Sequence, residues 1–340
     1  MLFSPIDQNV ALRQIPPPSA WFTLLLGLIA GLPALSIDLS APTLALLPAA
    51  LGTTMFVAGL SLSLFMFGFA VGQFAGGRAS DRFGRRPVLA VALATYVLGG
   101  VCCLFATSGD QLATARLIQG AGAGACSVQA YAMVQDIFTG EAARQKQSYV
   151  SVVLTIMPML APALGAVMTA VWGWRSVHAV LAVAGTLLFL VVRSFVAESR
   201  APELETTFIG LGFVDSLRML RDAPFRRLAI INALSYAAIF AYIAGAPVVV
   251  MTYLGYSSSV YAAVFASTAL ALSAGAFFNA RLTRRLSSAA LVWPSLIVQA
   301  VAGVALVVAA INVSAYGAWL FLPPLLVGCF ARGIISPNLV

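Results

Sequence analysis

Charge is what this sequence has least of. Only 9% of its 340 residues are Asp, Glu, Lys or Arg, while 61% are hydrophobic, and the mean hydropathy is +0.97. A soluble domain carries about 25% charged residues and roughly 45–50% apolar ones. Too few polar side chains remain here to cover a water-facing globule, so lipid is the principal solvent. Histidine occurs once, as His178, which leaves no histidine cluster for a catalytic metal. The four cysteines, Cys102, Cys103, Cys126 and Cys329, lie inside apolar runs. They show neither metal-site nor disulfide spacing and read as small core residues. No nucleophile–base pair stands out. The glycine-rich run from Gln119 to Cys126 sits within an apolar span, where a phosphate-cradling loop has no place. These absences argue against a membrane enzyme and an ATP-driven pump.

What is present is a succession of apolar runs. A helix needs about 20 such residues to cross a hydrocarbon core of about 30 Å. Ten spans are predicted, at 20–42, 55–76, 87–107, 111–134, 148–171, 176–197, 228–251, 260–280, 288–310 and 317–338. The fold class is therefore all-α and polytopic. The run after Pro18 leads into further spans with no clear cleavage site, so it reads as the first membrane helix and not as a signal peptide. Gly255-Tyr256-Ser257-Ser258-Ser259 divides the uncharged stretch from Leu228 to Ala280; Asn312, Ser314 and Gly317 divide the next.

The basic residues set the orientation. With the N-terminus cytoplasmic, 16 of the 19 fall in inner segments and only Arg175 in an outer one, as the positive-inside rule requires. That placement explains the net charge of +8 without nucleic acid. The longest inner connection separates residues 1–197, a six-helix bundle, from 228–340, a bundle of four. Within the linker 198–227, Phe213, Leu217 and Leu220 recur at helical spacing; a surface-lying helix and a solvated linker both fit. The halves echo each other. Arginine-rich inner turns close the second span (FAGGRASDRFGRR) and the eighth (FFNARLTRRL), and Ala41-Pro42 has a counterpart in Ala246-Pro247. Related halves are a common build of secondary transporters.

The loop after the second span reads Gly77-x-x-x-Asp81-Arg82-x-Gly84-Arg85-Arg86. A short inner turn explains Gly84, which tolerates positive φ, and an anionic membrane face explains the arginines. Neither explains Asp81. The pattern resembles the loop signature of the major facilitator superfamily between its second and third helices. That resemblance implies a gating loop in which Asp81 contacts a neighbouring helix N-terminus and an arginine. Ala34-Leu-Ser-Ile-Asp38-Leu-Ser-Ala-Pro42-Thr43 and Arg116-Leu-Ile-Gln119-Gly120-x-Gly122 are similar to first- and fourth-helix motifs of drug:proton antiporters. Ala161-Pro162-Ala-Leu-Gly165-Ala166, with Pro158 one turn earlier, is similar to the fifth-helix antiporter motif, although Ala166 replaces a usual glycine. Trp174-Arg175 and Glu198 sit as in the Bcr/CflA drug-resistance subfamily. The superfamily has twelve spans, so ten of the expected twelve are present. Either a longer protein or a truncated, non-transporting product is expected.

Asp38 and Arg116 are the charges placed deepest, about 6–9 Å below the outer boundary at 1.5 Å per residue. They are expected to pair across the cavity, with Asp38 exchanging a proton and Arg116 tuning it. Burial disfavours a charged carboxylate and a guanidinium favours it. A static ion pair is the competing reading. Gly120, Gly122 and Gly124 read as packing residues. Pro158 and Pro162 should bend the fifth span, either as a fixed kink or as the proton seal that the resemblance implies. Asn232, Tyr236 and Phe240 form one stripe of the seventh span and, with Gln119, are candidate linings of an amphiphile cavity; aromatic packing is the alternative. The function expected is a proton-coupled multidrug efflux antiporter of a bacterial inner membrane. It would act as a monomer on amphiphilic small molecules and need no cofactor or metal beyond the proton gradient. A nutrient symporter or uniporter of the same fold is the alternative.

Overall fold

The computed structural model describes residues 15–16, 19–199, 221–282, 286–311 and 320–335. Every regular element among them is helical. Ten long helices follow one another: α1 Ala20–Ser40, α2 Met55–Phe83, α3 Arg85–Phe105, α4 Gly109–Ile137, α5 Gly140–Trp172, α6 Arg175–Phe195, α7 Ala223–Pro247, α8 Ser258–Leu282, α9 Ser288–Ile311 and α10 Leu322–Ile335. A 3-10 turn, Ala41–Thr43, extends α1, and a six-residue π-helical segment, Val248–Tyr253, continues α7. The linker stripe Phe213, Leu217 and Leu220 lies outside the described residues.

Local chemistry sets the helix starts. The hydroxyls of Ser19, Thr54 and Ser108 accept from Phe22 N, Val57 N and Gln111 N, and the Asp222 carboxylate accepts from Phe225 N. Each satisfies one donor that a first turn leaves orphaned. Gly84 alone separates α2 from α3 at φ 91°, and Gly173 separates α5 from α6 at φ 79°. Side chains avoid that region, so glycine permits a reversal in so few residues.

Large apolar side chains are exposed, and several polar ones are buried among the apolar core. Phe56 is 78% exposed and Trp172 69%, while Ser36, Asp38, Arg116, Gln119 and Gln129 are buried. That arrangement suits lipid as solvent. Among the described residues, six segments are long and apolar enough to cross a membrane: Ala20–Thr43, Met55–Phe83, Arg85–Phe105, Arg175–Phe195, Ser259–Asn279 and Ala290–Ala309. The ten predicted spans coincide with ten helices, but not all pass on hydropathy. α4 is the informative exception. It packs against α1, α2, α3 and α5, so its polar residues face protein and cost little.

The chain forms two compact units, 1–210 and 211–340. In the first, α2 and α4 lie nearly backbone to backbone. A Cβ on Gly68, Gly72 or Gly76 would strike Leu117, Ala121 or Ala125; one on Gly120 or Gly124 would strike the backbone of Phe65 or Phe69. Gly122, two residues from each, instead faces Tyr96 and Ala92 of α3. Alternate glycines of the run thus serve opposite faces of α4. Small residues at four-residue spacing allow this approach in lipid, where tight packing drives association. In the second unit α8 meets α10 in the same manner, Gly275 against Phe330 and Gly333 against Leu272.

Candidate functional site

The C-terminal end of α1 positions the first group of polar side chains. Ser36 and Ser40, one turn apart, share a face turned towards α4. There the Arg116 guanidinium, 2% exposed, is held by acceptors on three residues. Nη1 donates to Gln119 Oε1 at 2.8 Å, and Nη2 to Ser40 Oγ at 3.1 Å and Ser36 O at 3.3 Å. The guanidinium carbon lies 4.3 Å from the ring centroid of Phe65, a cation–π contact. Ser36 Oγ, which donates to Leu32 O, also meets Tyr96 Oη of α3 at 2.7 Å.

Asp38 is buried too, at 4% exposure, but it does not pair with Arg116. The described ion pairs are Arg85–Asp81 and Arg85–Asp136. The expected pairing is therefore corrected, and helix geometry gives the reason. Asp38 lies two residues from both Ser36 and Ser40, about 200° around the axis at about 100° per residue. With the serines facing Arg116, the carboxylate faces elsewhere.

Asp38 shares its face with Gly31, seven residues earlier, and Gly31 lies 3.5 Å by its missing Cβ from Met157 of α5. At the other end of the contact, Gly165 of α5 packs on the backbone of Leu39. Advancing eight residues on either helix keeps them in register, so α1 and α5 run parallel. Leu39 continues into a small apolar core with Ala161, Val177 and Leu181. This register brings Pro33, inside α1, level with the Pro158–Pro162 turn of α5. Pro162 is buried; the Pro158 side chain lies outside the described residues. α5 is assigned as one continuous helix through both prolines.

The C-terminal ends of α2, α4 and α6 and the N-terminal end of α3 carry a second group. Arg85 Nη1 donates to Asp81 Oδ1 at 2.7 Å and to Ser80 Oγ at 2.6 Å, while its Nε donates to Asp136 Oδ2 at 2.8 Å. Glu198 caps α3: Oε1 accepts from Arg85 N at 2.9 Å and Oε2 from Arg86 N at 3.1 Å. Arg86 Nη2 donates to Arg193 O at 2.7 Å. Asp81 thus contacts an arginine of its own loop, Arg85, and the N-terminus of α3 is capped by Glu198. Arg82 stacks over Phe83, and Gly77 lies 3.6 Å by its missing Cβ from Val128 of α4.

At the opposite end of the unit, Arg175 stacks on Trp174 at 4.3 Å and donates to Ala106 O at 2.8 Å. In the second unit a cavity of about 500 Å³ is lined chiefly by apolar residues of α7 to α10, with Tyr242 and Tyr256 on its wall. The side chains of Asn232, Tyr236 and Phe240 lie outside the described residues, so Gln119 is the one predicted cavity residue whose contacts are defined.

A model of the Major Facilitator Superfamily matches residues 26–340. The chain belongs to that superfamily. Among its relatives, multidrug resistance protein MdtL of Citrobacter koseri is 30% identical over 193 residues, covering 57% of this chain and 49% of that protein. An uncharacterized MFS-type transporter of Bacillus subtilis, YdgK, is 28% identical over 260 residues, covering 76% of this chain and 65% of its own length. The chain thus spans about half to two thirds of the relatives it matches. The xylose transporter XylE of E. coli superposes with a TM-score of 0.73 at 15% identity, over 94% of this chain and 83% of that one. A bacterial homolog of the human lysosomal transporter Spinster gives 0.72 at 18%, over 94% and 74%. At such identities they share the fold of the superfamily with this chain.

Sequence reasoning missed Asp136, Ser80, Pro33 and the Gly68–Gly72–Gly76 row. Asp136 and the glycine row had a readable signal: an acid at the C-terminal end of an apolar span, and glycines at strict four-residue spacing.

Proposed function

We propose that the chain is part or all of a proton-coupled multidrug efflux antiporter that exports amphiphilic small molecules by alternating access. The observation that carries this reading is Asp38, a buried carboxylate outside every described ion pair, placed where α1 packs on the proline-bearing α5. An ionised carboxylate buried without a partner costs far more than its protonated form. Its proton occupancy therefore follows its hydration. A conformational change that wets Asp38 on one side of the membrane and encloses it on the other moves a proton. An organic cation presented to the same carboxylate would compete with that proton.

Proline removes a backbone donor and loosens the turn around it, so three prolines at one level give α1 and α5 a place to flex. The inner network around Arg85 would then act as a latch. A carboxylate at a helix N-terminus stabilises by about 0.3–1 kcal/mol, enough to bias a two-state gate and small enough to release. Within this reading the protein works in a bacterial inner membrane as a monomer with a cytoplasmic N-terminus, and the proton gradient replaces any cofactor. Multidrug resistance relatives support efflux over uptake.

The test is dye accumulation in inverted membrane vesicles, where export runs into the lumen, under an imposed pH gradient. Asp38→Asn should reach the membrane in normal amount and lose at least tenfold of the gradient-driven flux. Undiminished flux would remove Asp38 from proton coupling. Gradient-driven movement of a sugar in the opposite direction would replace the antiporter with a symporter.

A further inference from the structure

A closed polar cavity lies beside Arg116, on the face of α1 away from Asp38. Its wall is built by Ser40 and Thr43 after α1, Ser61 of α2, Arg116 of α4 and His178 of α6, together with four leucines. Its free space is about 10 Å³, at the threshold for holding one water molecule. Ser40, Thr43, Ser61, Arg116 and His178 are each less than one tenth exposed. The Nδ1 of His178 is fully enclosed and has no hydrogen-bond partner. Burying a polar atom without a partner is unfavourable, and the cavity is where a partner can stand.

Donor and acceptor accounting identifies the occupant. Ser40 Oγ donates to Ser36 O, Thr43 Oγ1 to Ser40 O and Ser61 Oγ to Ala58 O, each at 2.6 Å. The three hydroxyl hydrogens are thus spent on backbone carbonyls; Ser40 Oγ also accepts from Arg116, which leaves lone pairs of Thr43 and Ser61 for the cavity. Arg116 makes three of the five donations available to a guanidinium. A small anion would be attracted by Arg116 but would meet the hydroxyl lone pairs. A water molecule both donates and accepts, and suits this mixed wall. We propose that the cavity is a hydration site: one water bound between His178 Nδ1, the hydroxyl oxygens of Thr43 and Ser61, and Arg116, joining the outer ends of four helices. The imidazole ring is steadied by Trp174, edge to face at 5.8 Å, and Trp174 is in turn covered by Arg175. The site does not depend on the chain exporting drugs.

Two measurements on the full chain test it. The first is a structure at a resolution that shows ordered water, from crystals with bromide in place of chloride. A peak within hydrogen-bonding distance of His178 Nδ1 and of Thr43 or Ser61, without a bromide anomalous signal, is expected. An anomalous peak there would make the site an anion site, and featureless density would make it dry; either overturns the proposal. The second is radiolytic hydroxyl labelling in detergent, in which bound water marks adjacent buried residues. Leu62 and Leu112 should label at least fivefold faster than Leu26, which is similarly buried and away from the cavity. The Thr43→Val, Ser61→Ala double variant should abolish that difference. Equal rates in the unaltered protein would also count against bound water.

Discussion

Arg116 is held in a way that only a guanidinium satisfies. Its two terminal nitrogens reach a side-chain amide, a hydroxyl and a main-chain carbonyl on two helices, while its flat face covers Phe65. A lysine keeps the charge but has neither the fork nor the face. Arg116→Lys should therefore cost about 2 kcal/mol, the scale of hydrogen bonds to a charged group, read as a lower midpoint in thermal unfolding of the purified protein. Gln119→Leu, which removes one acceptor, should cost about half of that. Glu198 offers a second residue-scale test at the opposite end of the bundle. Its two oxygens take the first two N–H groups of α3, so Glu198→Ala should destabilise by about 1 kcal/mol, as lost helix caps do. An unchanged midpoint would show that water replaces the cap at no cost. The sequence made Asp38 and Arg116 visible as intramembrane charges. Their separation was also there to be read, in the two-residue offset of Asp38 from Ser36 and Ser40. Which of those faces meets α4 is a tertiary fact, and no local pattern contains it.

Helix packing shows the same division. The boundaries of the ten helices follow from apolar runs, polar caps and a few glycines, all local in sequence, and the predicted spans fall on the observed helices. The pairing of α2 with α4 depends on residues about fifty positions apart and surfaced only when the two were placed together. Its chemistry is simple enough to test. Gly72 sits against the backbone of Ala121, whereas Gly59, on the same helix, has nothing within 4 Å of the place its Cβ would take. Gly72→Leu should push α2 from α4, and because backbone cannot yield as a flexible side chain does, little folded protein should survive detergent extraction. Gly59→Ala should be neutral or stabilising by up to about 1 kcal/mol from helix propensity. Size-exclusion profiles of the two variants decide the matter. Similar monodisperse yields would mean that the close approach of α2 and α4 is not needed for the fold.

For the whole molecule the open quantity is direction across the membrane, and the first unit fixes what must be measured. Connections at Gly52, Ala106–Ser108 and Gly173 lie at one end of α1–α6, and those at Gly84, Phe138–Gly140 and Ser199 at the other, because successive helices reverse. Arg82, Arg85, Arg86 and Arg193 belong to the second end and Arg175 to the first. The acids Asp81, Asp136 and Glu198 offset part of that positive charge, yet acids contribute little to orientation. The arginines therefore decide it, and the end bearing Gly84 should be cytoplasmic. Thr107 and Ala142 are exposed residues of the two opposite ends. In cells carrying single introduced cysteines in a background from which Cys102, Cys103, Cys126 and Cys329 have been removed, a membrane-impermeant maleimide should label Thr107→Cys at once. Ala142→Cys should label only after the membrane is opened. The reverse pattern would invert the topology and place the Arg85 network on the outer face. A latch holding the inner gate would then have to be abandoned, while Asp38 would keep its burial and its place beside α5.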